Sequence, residues 1–342
     1  MDRGRGSDIK DLDSNVHAPA TAGGTDRQQR FLESIGKAVT SYPGTVTEDR
    51  NPTHGRRGTF ADFLESLLAF ESGVDPAKFD WYVENYHSPL MSYPKVISPG
   101  LVVRDFETGD ISFEMMTVQE YFTSLGVGEL FEPGDPSCIR RMQYRVVNAL
   151  GFVGYQLGEA ILITTGYYTP EEITVIANGR AEKLERYYSG SAPTSLWQHG
   201  CHEARYKLPG SDKWIMATDV NCWRGTFTGK DKVHSFADVL EPDRQEPVLR
   251  EIFSANYHCL NEESKKRGLS VQSALRRFYS STNPEETRTY TLSGTLAAAH
   301  LCGPYGVLEL FLSGAQAKDE FGTSIMQYLT DFADYETPYD LL

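Results

Sequence analysis

The stretch GFVGYQLGEAILITTGYY, residues 151–168, constrains the fold more than any other. Gly151 and Gly154 permit a tight loop and close approach of a ligand to the backbone. Tyr155 and Gln156 follow, and an apolar run carrying Glu159 then leads to Gly166 and two tyrosines. A surface loop has no use for the apolar run, and a core helix has no use for the glycines. The stretch therefore predicts a loop pinned to a buried helix, with Tyr155 offering a stacking face and Gln156 an amide. A sugar, apolar on its faces and hydrogen-bonding at its rim, calls for both. Glu159, on the helix after the loop, reads either as a scaffold carboxylate accepting backbone hydrogen bonds or as a catalytic one.

A second constraint is TFADFLESLLAFESG, residues 59–73. Thr59 followed three residues later by Asp62 is a helix start. Phe60, Phe63, Leu64, Leu67 and Leu68 form one wide apolar face, and Gly73 ends the helix. Glu71 and Ser72 then lie in the last turn. The negative end of a helix disfavours a further negative charge, and apolar surroundings act in the same direction. The expectation is a raised pKa and a carboxylic acid able to protonate a leaving oxygen. Asp75, just beyond, reads as a turn residue or a base. The third element is LAAAHLCGPYGVLELF, residues 296–311. Its alanines allow close helix approach, bringing His300 near the core, and a Gly-Pro break precedes a second apolar helix with Tyr305.

With 342 residues and 40% hydrophobic content, the chain can bury a sizeable core. Periodicity predicts helices at about 139–148, 157–165, 171–187, 243–267, 270–281, 292–300, 305–313 and 323–335. Residues 74–137, where Pro and Gly recur, read as an irregular insertion in which LVVRDFETGDISFEM forms two short strands about a turn. WIMATDVNCWRGTF, preceded by the turn PGSD, reads as a small hairpin. The expected class is mainly α with small β-hairpin additions. Residues 1–57 read as a tail ahead of a 58–342 domain. Within the tail, Phe31, Leu32, Ile35, Ala38 and Val39 share one helical stripe, which either packs on its own domain or docks a partner in an assembly.

A formal charge of −14 argues against nucleic acid as a partner, since neutralising phosphates needs a basic face. No uninterrupted apolar run has the length of a membrane span. The opening MDRGRGSDIKDLDSN lacks the apolar core of a secretory signal. The expectation is a protein made in the cytoplasm that reaches the cell wall by another route or is built into a larger particle. The five cysteines are odd in number and widely spread, which is not a disulfide framework. His199, Cys201, His202 and Cys222 are zinc-ligand types without a CxxC pair, so no metal is expected.

In this order the three elements resemble the lysozyme-like, soluble lytic transglycosylase superfamily. Glu71-Ser72 is similar to its ES helix end, Gly154-Tyr155-Gln156 to its GLxQ loop, and Ala298 through Val307 to its AAYNAGPxxV helix. A bacterial branch with the pattern GYLGxYQxGEAALxxxGYY is more similar still. Its W-TGKxGxxSxxDFL element resembles WRGTFTGKDKVHSFADVL, and its AHLxGxxGV and GTSxxxYM elements resemble AHLCGPYGV and GTSIMQYL. His300 stands where the family has a tyrosine that contacts the catalytic acid, and Leu301 where it has asparagine. The resemblance implies a lysozyme-like helical domain that cleaves peptidoglycan glycan strands between MurNAc and GlcNAc. Glu71 would be the catalytic acid, and Ser72, Gly154, Tyr155, Gln156, Glu159, His300 and Tyr305 would bind substrate, with no cofactor. The alternative is an inactive structural or adaptor protein of a phage tail or contractile injection machine.

Overall fold

A computed structural model describes residues 57–98, 101–209, 211–275, 290–318 and 323–340. The expected tail helix around Phe31–Val39 lies outside the described residues.

Helix α1 (Phe60–Ser72) forms where its sequence predicts. Thr59 and Asp62 close a reciprocal capping box, and Phe63, Leu64, Leu67 and Leu68 are buried. Full burial of such side chains contributes about 1.5–3 kcal/mol each. Short α2 (Phe79–Glu84) follows, then strands β1 (Pro89–Pro94), β2 (Val96–Ser98), β3 (Leu101–Val102) and β4 (Phe113–Thr117), and α3 (Val118–Ser124). β1 pairs antiparallel with β4, and β2 with β3. The segment expected to be irregular thus has regular elements and a core of its own. Tyr82, Tyr121, Phe122, Leu125 and Val127 pack there against Ile139 and Met142 of α4 (Cys138–Arg145).

Next come α5 (Glu159–Thr164), β5 (Tyr168–Thr169), β6 (Glu171–Ala177), β7 (Arg180–Tyr188), β8 (Glu203–Lys207), β9 (Trp214–Thr218) and β10 (Thr226–Phe227). Strands β6-β7-β9-β8 form a four-stranded sheet in that order, with β7 and β9 parallel and the other pairs antiparallel. The expected hairpin around PGSD is β8–β9. The helix expected over 171–187 is instead β6–β7. Asn178 and Gly179, at φ 51° and 72°, form a two-residue turn that Asn-Gly favours. The run Ile173-Thr174-Val175-Ile176 supplies β-branched residues suited to a pleated strand.

The remaining elements are α6 (Phe236–Val239), α7 (Pro242–Lys265), α8 (Leu292–Ser313) and α9 (Ile325–Asp331). The helix expected over 270–281 is helical at 271–275, and the rest lies outside the described residues. α8 contains the expected Gly-Pro break, with Gly303 at φ 72° and ψ 164°. By length and composition α8 alone among the described helices is apolar enough to cross a bilayer, yet 56% of its most apolar window is buried in the fold. α1, α7, α8 and α9 share one hydrophobic core with α5 and the 153–157 loop. Among the described residues helix takes 45% and strand 21% in four sheets, so the class is mixed α and β, which corrects the mainly α, lysozyme-like helical expectation. Strands not expected include β1 and β2 within 74–137 and the β6–β7 hairpin.

Candidate functional site

α1 brings Glu71 into the core at its last turn. Gly73, at φ 68°, caps the helix by donating to the Phe70 carbonyl, a left-handed position that glycine fills without strain. The Glu71 side chain is 6% exposed. Tyr328 of α9 donates its hydroxyl to Glu71 Oε1 at 2.9 Å. His300 Nε2, from α8, stands 3.8 Å from the same oxygen. That Nε2 is 2.7 Å from the carbonyl oxygen of Tyr155. A carbonyl can only accept, so Nε2 carries hydrogen. Burial pushes the His300 pKa down, with the Tyr155 carbonyl opposing it, so the imidazole is neutral at pH 7.

The glycine loop reaches the same point from the other side. Gln156 Nε2 donates to the backbone carbonyl of Glu71 at 2.5 Å. Its Oε1 accepts from Asn148 Nδ2 at 2.8 Å. Asn148 Oδ1 in turn accepts the backbone N–H groups of Leu150 and Phe152 at 2.9 and 3.0 Å, so the loop folds around Asn148. Gly154 has φ 49°, and a Cβ there would run into the Gln245 amide of α7. Gln245 Nε2 donates to the Tyr144 carbonyl. Packing of the loop on α7, together with the left-handed φ, accounts for the glycine.

Three expected site residues thus meet, namely Glu71, Gln156 and His300. Ser72 adjoins them, but its Oγ accepts from the Val74 N–H at 3.2 Å and shapes the turn after α1. Asp75 is also a turn residue, its Oδ1 accepting from the Ala77 N–H at 2.9 Å. Tyr155 is fully buried, its ring edge-on to Tyr144 at 5.9 Å, and so offers no stacking face to a sugar. Tyr305 is half-buried against the core just past the α8 break.

Glu159 belongs to a different cluster. Its Oε1 accepts from the Trp223 N–H at 2.9 Å and the Tyr168 hydroxyl at 3.1 Å. Its Oε2 accepts from the Tyr188 and Cys222 N–H groups, each at 3.3 Å. This is the scaffold arrangement. Burial raises the Glu159 pKa, and the four donors oppose that rise.

Sequence reasoning missed Tyr328, although it is the tyrosine of GTSIMQYL and lies within an expected helix. In the structure its hydroxyl donates to Glu71 Oε1. A second missed pair is His202 Nδ1 with Asp219 Oδ2 at 3.0 Å. Among the described residues, no three or more His, Cys, Asp or Glu side chains gather as metal ligands. Comparisons with protein-family models, with curated proteins and with solved structures give no match.

Proposed function

We propose that the protein cleaves the glycan strand of peptidoglycan between MurNAc and GlcNAc, with Glu71 as the proton donor. The observation that carries this reading is convergence on one residue. Gln156, 85 positions from Glu71 along the chain, donates to its backbone carbonyl, and Tyr328, 257 positions away, donates to its carboxyl group. These are residues of the motifs that resemble lytic transglycosylases. In the reaction, Glu71 gives its proton to the glycosidic oxygen as the anomeric C–O bond breaks. The resulting carboxylate then takes the proton from the sugar's own 6-hydroxyl as that oxygen bonds to the anomeric carbon, leaving an anhydro end. One carboxyl suffices, and no cofactor takes part.

A second reading, an inactive structural or adaptor protein of a phage tail or contractile injection machine, is favoured by one observation. The Glu71 and Tyr155 side chains are buried and the Gln156 amide is engaged at both ends. Incubation of the protein with sacculi, followed by mass analysis of released muropeptides, separates the two. Anhydro-muropeptides released by the wild type but not by Glu71→Gln support cleavage. A wild type inert on sacculi leaves the adaptor reading.

A further inference from the structure

A cleft of about 950 Å³ opens between the β2–β3 hairpin, the Asn148–Gly151 turn and the 219–224 loop after β9. Its volume is at the upper end of the range for ligand sites, roughly 300–1,000 Å³. Glu71 does not line it. Val96, Ile97, Leu101, Val147 and Val220 make aliphatic walls, and Ile97 is 75% exposed. The polar end holds His202, Asp219, Glu203 and Arg224.

Asp219 is fixed there from behind. Its side chain is 1% exposed, and Oδ2 meets both His202 Nδ1 at 3.0 Å and Arg104 Nε at 3.2 Å. Arg104, itself 7% exposed, also donates to the Gly109 carbonyl at 3.1 Å. The second carboxylate oxygen, Oδ1, is buried without a hydrogen-bond partner. A carboxylate accepts, so His202 donates from Nδ1, and the lone pair of a neutral ring is left on Nε2. The His202 side chain is 32% exposed in the cleft wall. The charges of this end are matched within the protein, Asp219 by Arg104 and Glu203 by Arg186 and Arg224. The occupant is therefore uncharged, with an aliphatic body.

We propose that this cleft is a second active site, in which His202 is the general base for hydrolysis of an uncharged carboxylic ester with an aliphatic acyl group. Nε2 takes a proton from water as the water oxygen bonds to the acyl carbon. The tetrahedral intermediate collapses with cleavage of the acyl C–O bond, and the imidazolium returns the proton to the departing alkoxide. A carboxylic acid and an alcohol leave. Asp219 is a positioning residue that holds the Nδ1–H tautomer. Arg224, whose charge Glu203 matches through a 3.4 Å contact, keeps further guanidinium N–H donors for the oxyanion. Water is the nucleophile because Cys222 remains a thiol. Its S–H is directed at the Val220 carbonyl, and burial, aided by Glu159, pushes its pKa up.

The test uses the full chain and 4-methylumbelliferyl butanoate, with initial rates read by fluorescence. Saturable turnover is expected. His202→Ala should lower kcat by the ~10² to 10⁴ typical of losing a general base, and added imidazole should restore part of it, which a merely structural histidine would not show. Thermal unfolding of His202→Ala at the wild-type temperature guards against misfolding as the cause. The proposal is overturned by a wild-type rate equal to the buffer rate, by a His202→Ala variant of full activity, or by loss of all turnover in Cys222→Ser, which would make the thiol the nucleophile.

Discussion

At Glu159 the carboxylate accepts from four donors, three of them backbone N–H groups, on chain segments around Tyr168, Tyr188 and Trp223. At Glu71 the neighbours include the side chains of Tyr328 and His300, and the carboxyl sits at the capped end of a helix. Both glutamates are buried, yet they serve opposite ends. The first holds two segments by the N–H groups of Tyr188 and of Cys222 and Trp223, and a third by the Tyr168 hydroxyl. The second meets a tyrosine hydroxyl and stands near an imidazole, and its backbone carbonyl accepts the Gln156 amide of the glycine loop. Burial alone does not distinguish the two carboxyls; the kind of donor that surrounds each does.

The largest expected effect that sharpens this contrast is on rate. Glu71→Gln should lower muropeptide release by ~10² to 10⁴ while leaving the melting temperature unchanged, because the amide oxygen still accepts from Tyr328. Equal losses in Glu71→Gln and Glu159→Gln would erase the distinction between the two sites.

Stability should respond in the reverse sense. Glu159→Ala orphans buried N–H groups, at about 1–3 kcal/mol each, partly offset by the carboxylate no longer being desolvated. A net loss of about 3 kcal/mol in urea unfolding is expected. A loss below about 1 kcal/mol would mean that the hub is not structural.

Gly154→Ala probes the Glu71 side. The left-handed φ costs roughly 1–2 kcal/mol for a residue with a Cβ, and Gln245 must also give way. Destabilisation of about 2 kcal/mol is expected by the same measurement, and a neutral result would remove Gly154 from the packing argument.

The smallest effect is that of His300 on pH dependence. Its folded-state pKa lies below the usual value near 6.5. The stability it contributes is therefore full above about pH 6.5 and is lost as pH falls, when the unfolded chain takes up a proton that the folded one refuses. Glu159, with its raised pKa, acts in the opposite sense at lower pH. The difference between wild type and His300→Gln is thus the quantity to measure. The wild type should lose more stability than the variant between pH 7 and pH 5.5. Parallel profiles would show that His300 titrates normally.

Local signals gave the sequence reading its successes. The capping box at Thr59, the Gly-Pro break in α8 and the PGSD hairpin each depend on a few adjacent residues, and each is where it was expected. The meeting of Glu71, Gln156 and His300 was also legible, since motif order along the chain carried it. Two things were not. Asn178-Gly179 announced a hairpin, but charged residues at helical spacing on either side masked it, since β6–β7 binds them in cross-strand pairs such as Lys183–Glu172. Tyr155 was misread because an aromatic in a glycine loop has the same sequence whether its ring faces solvent or the core, and its packing on Tyr144 is a long-range matter.

His202 immediately precedes β8 and Asp219 immediately follows β9, so this pair bridges the open end of one antiparallel hairpin whose register sets Glu203 opposite Thr218. Closing that contact spans 17 residues, whereas the Tyr328 contact to Glu71 spans 257. The logarithmic growth of loop-closure entropy makes the longer loop dearer by roughly 2 kcal/mol, and contacts so distant form late. The two sites therefore differ in when they come into being. One wall of the open cleft can be assembled while most of the chain is still searching, whereas the Tyr328 contact with Glu71 exists only once α9 has docked.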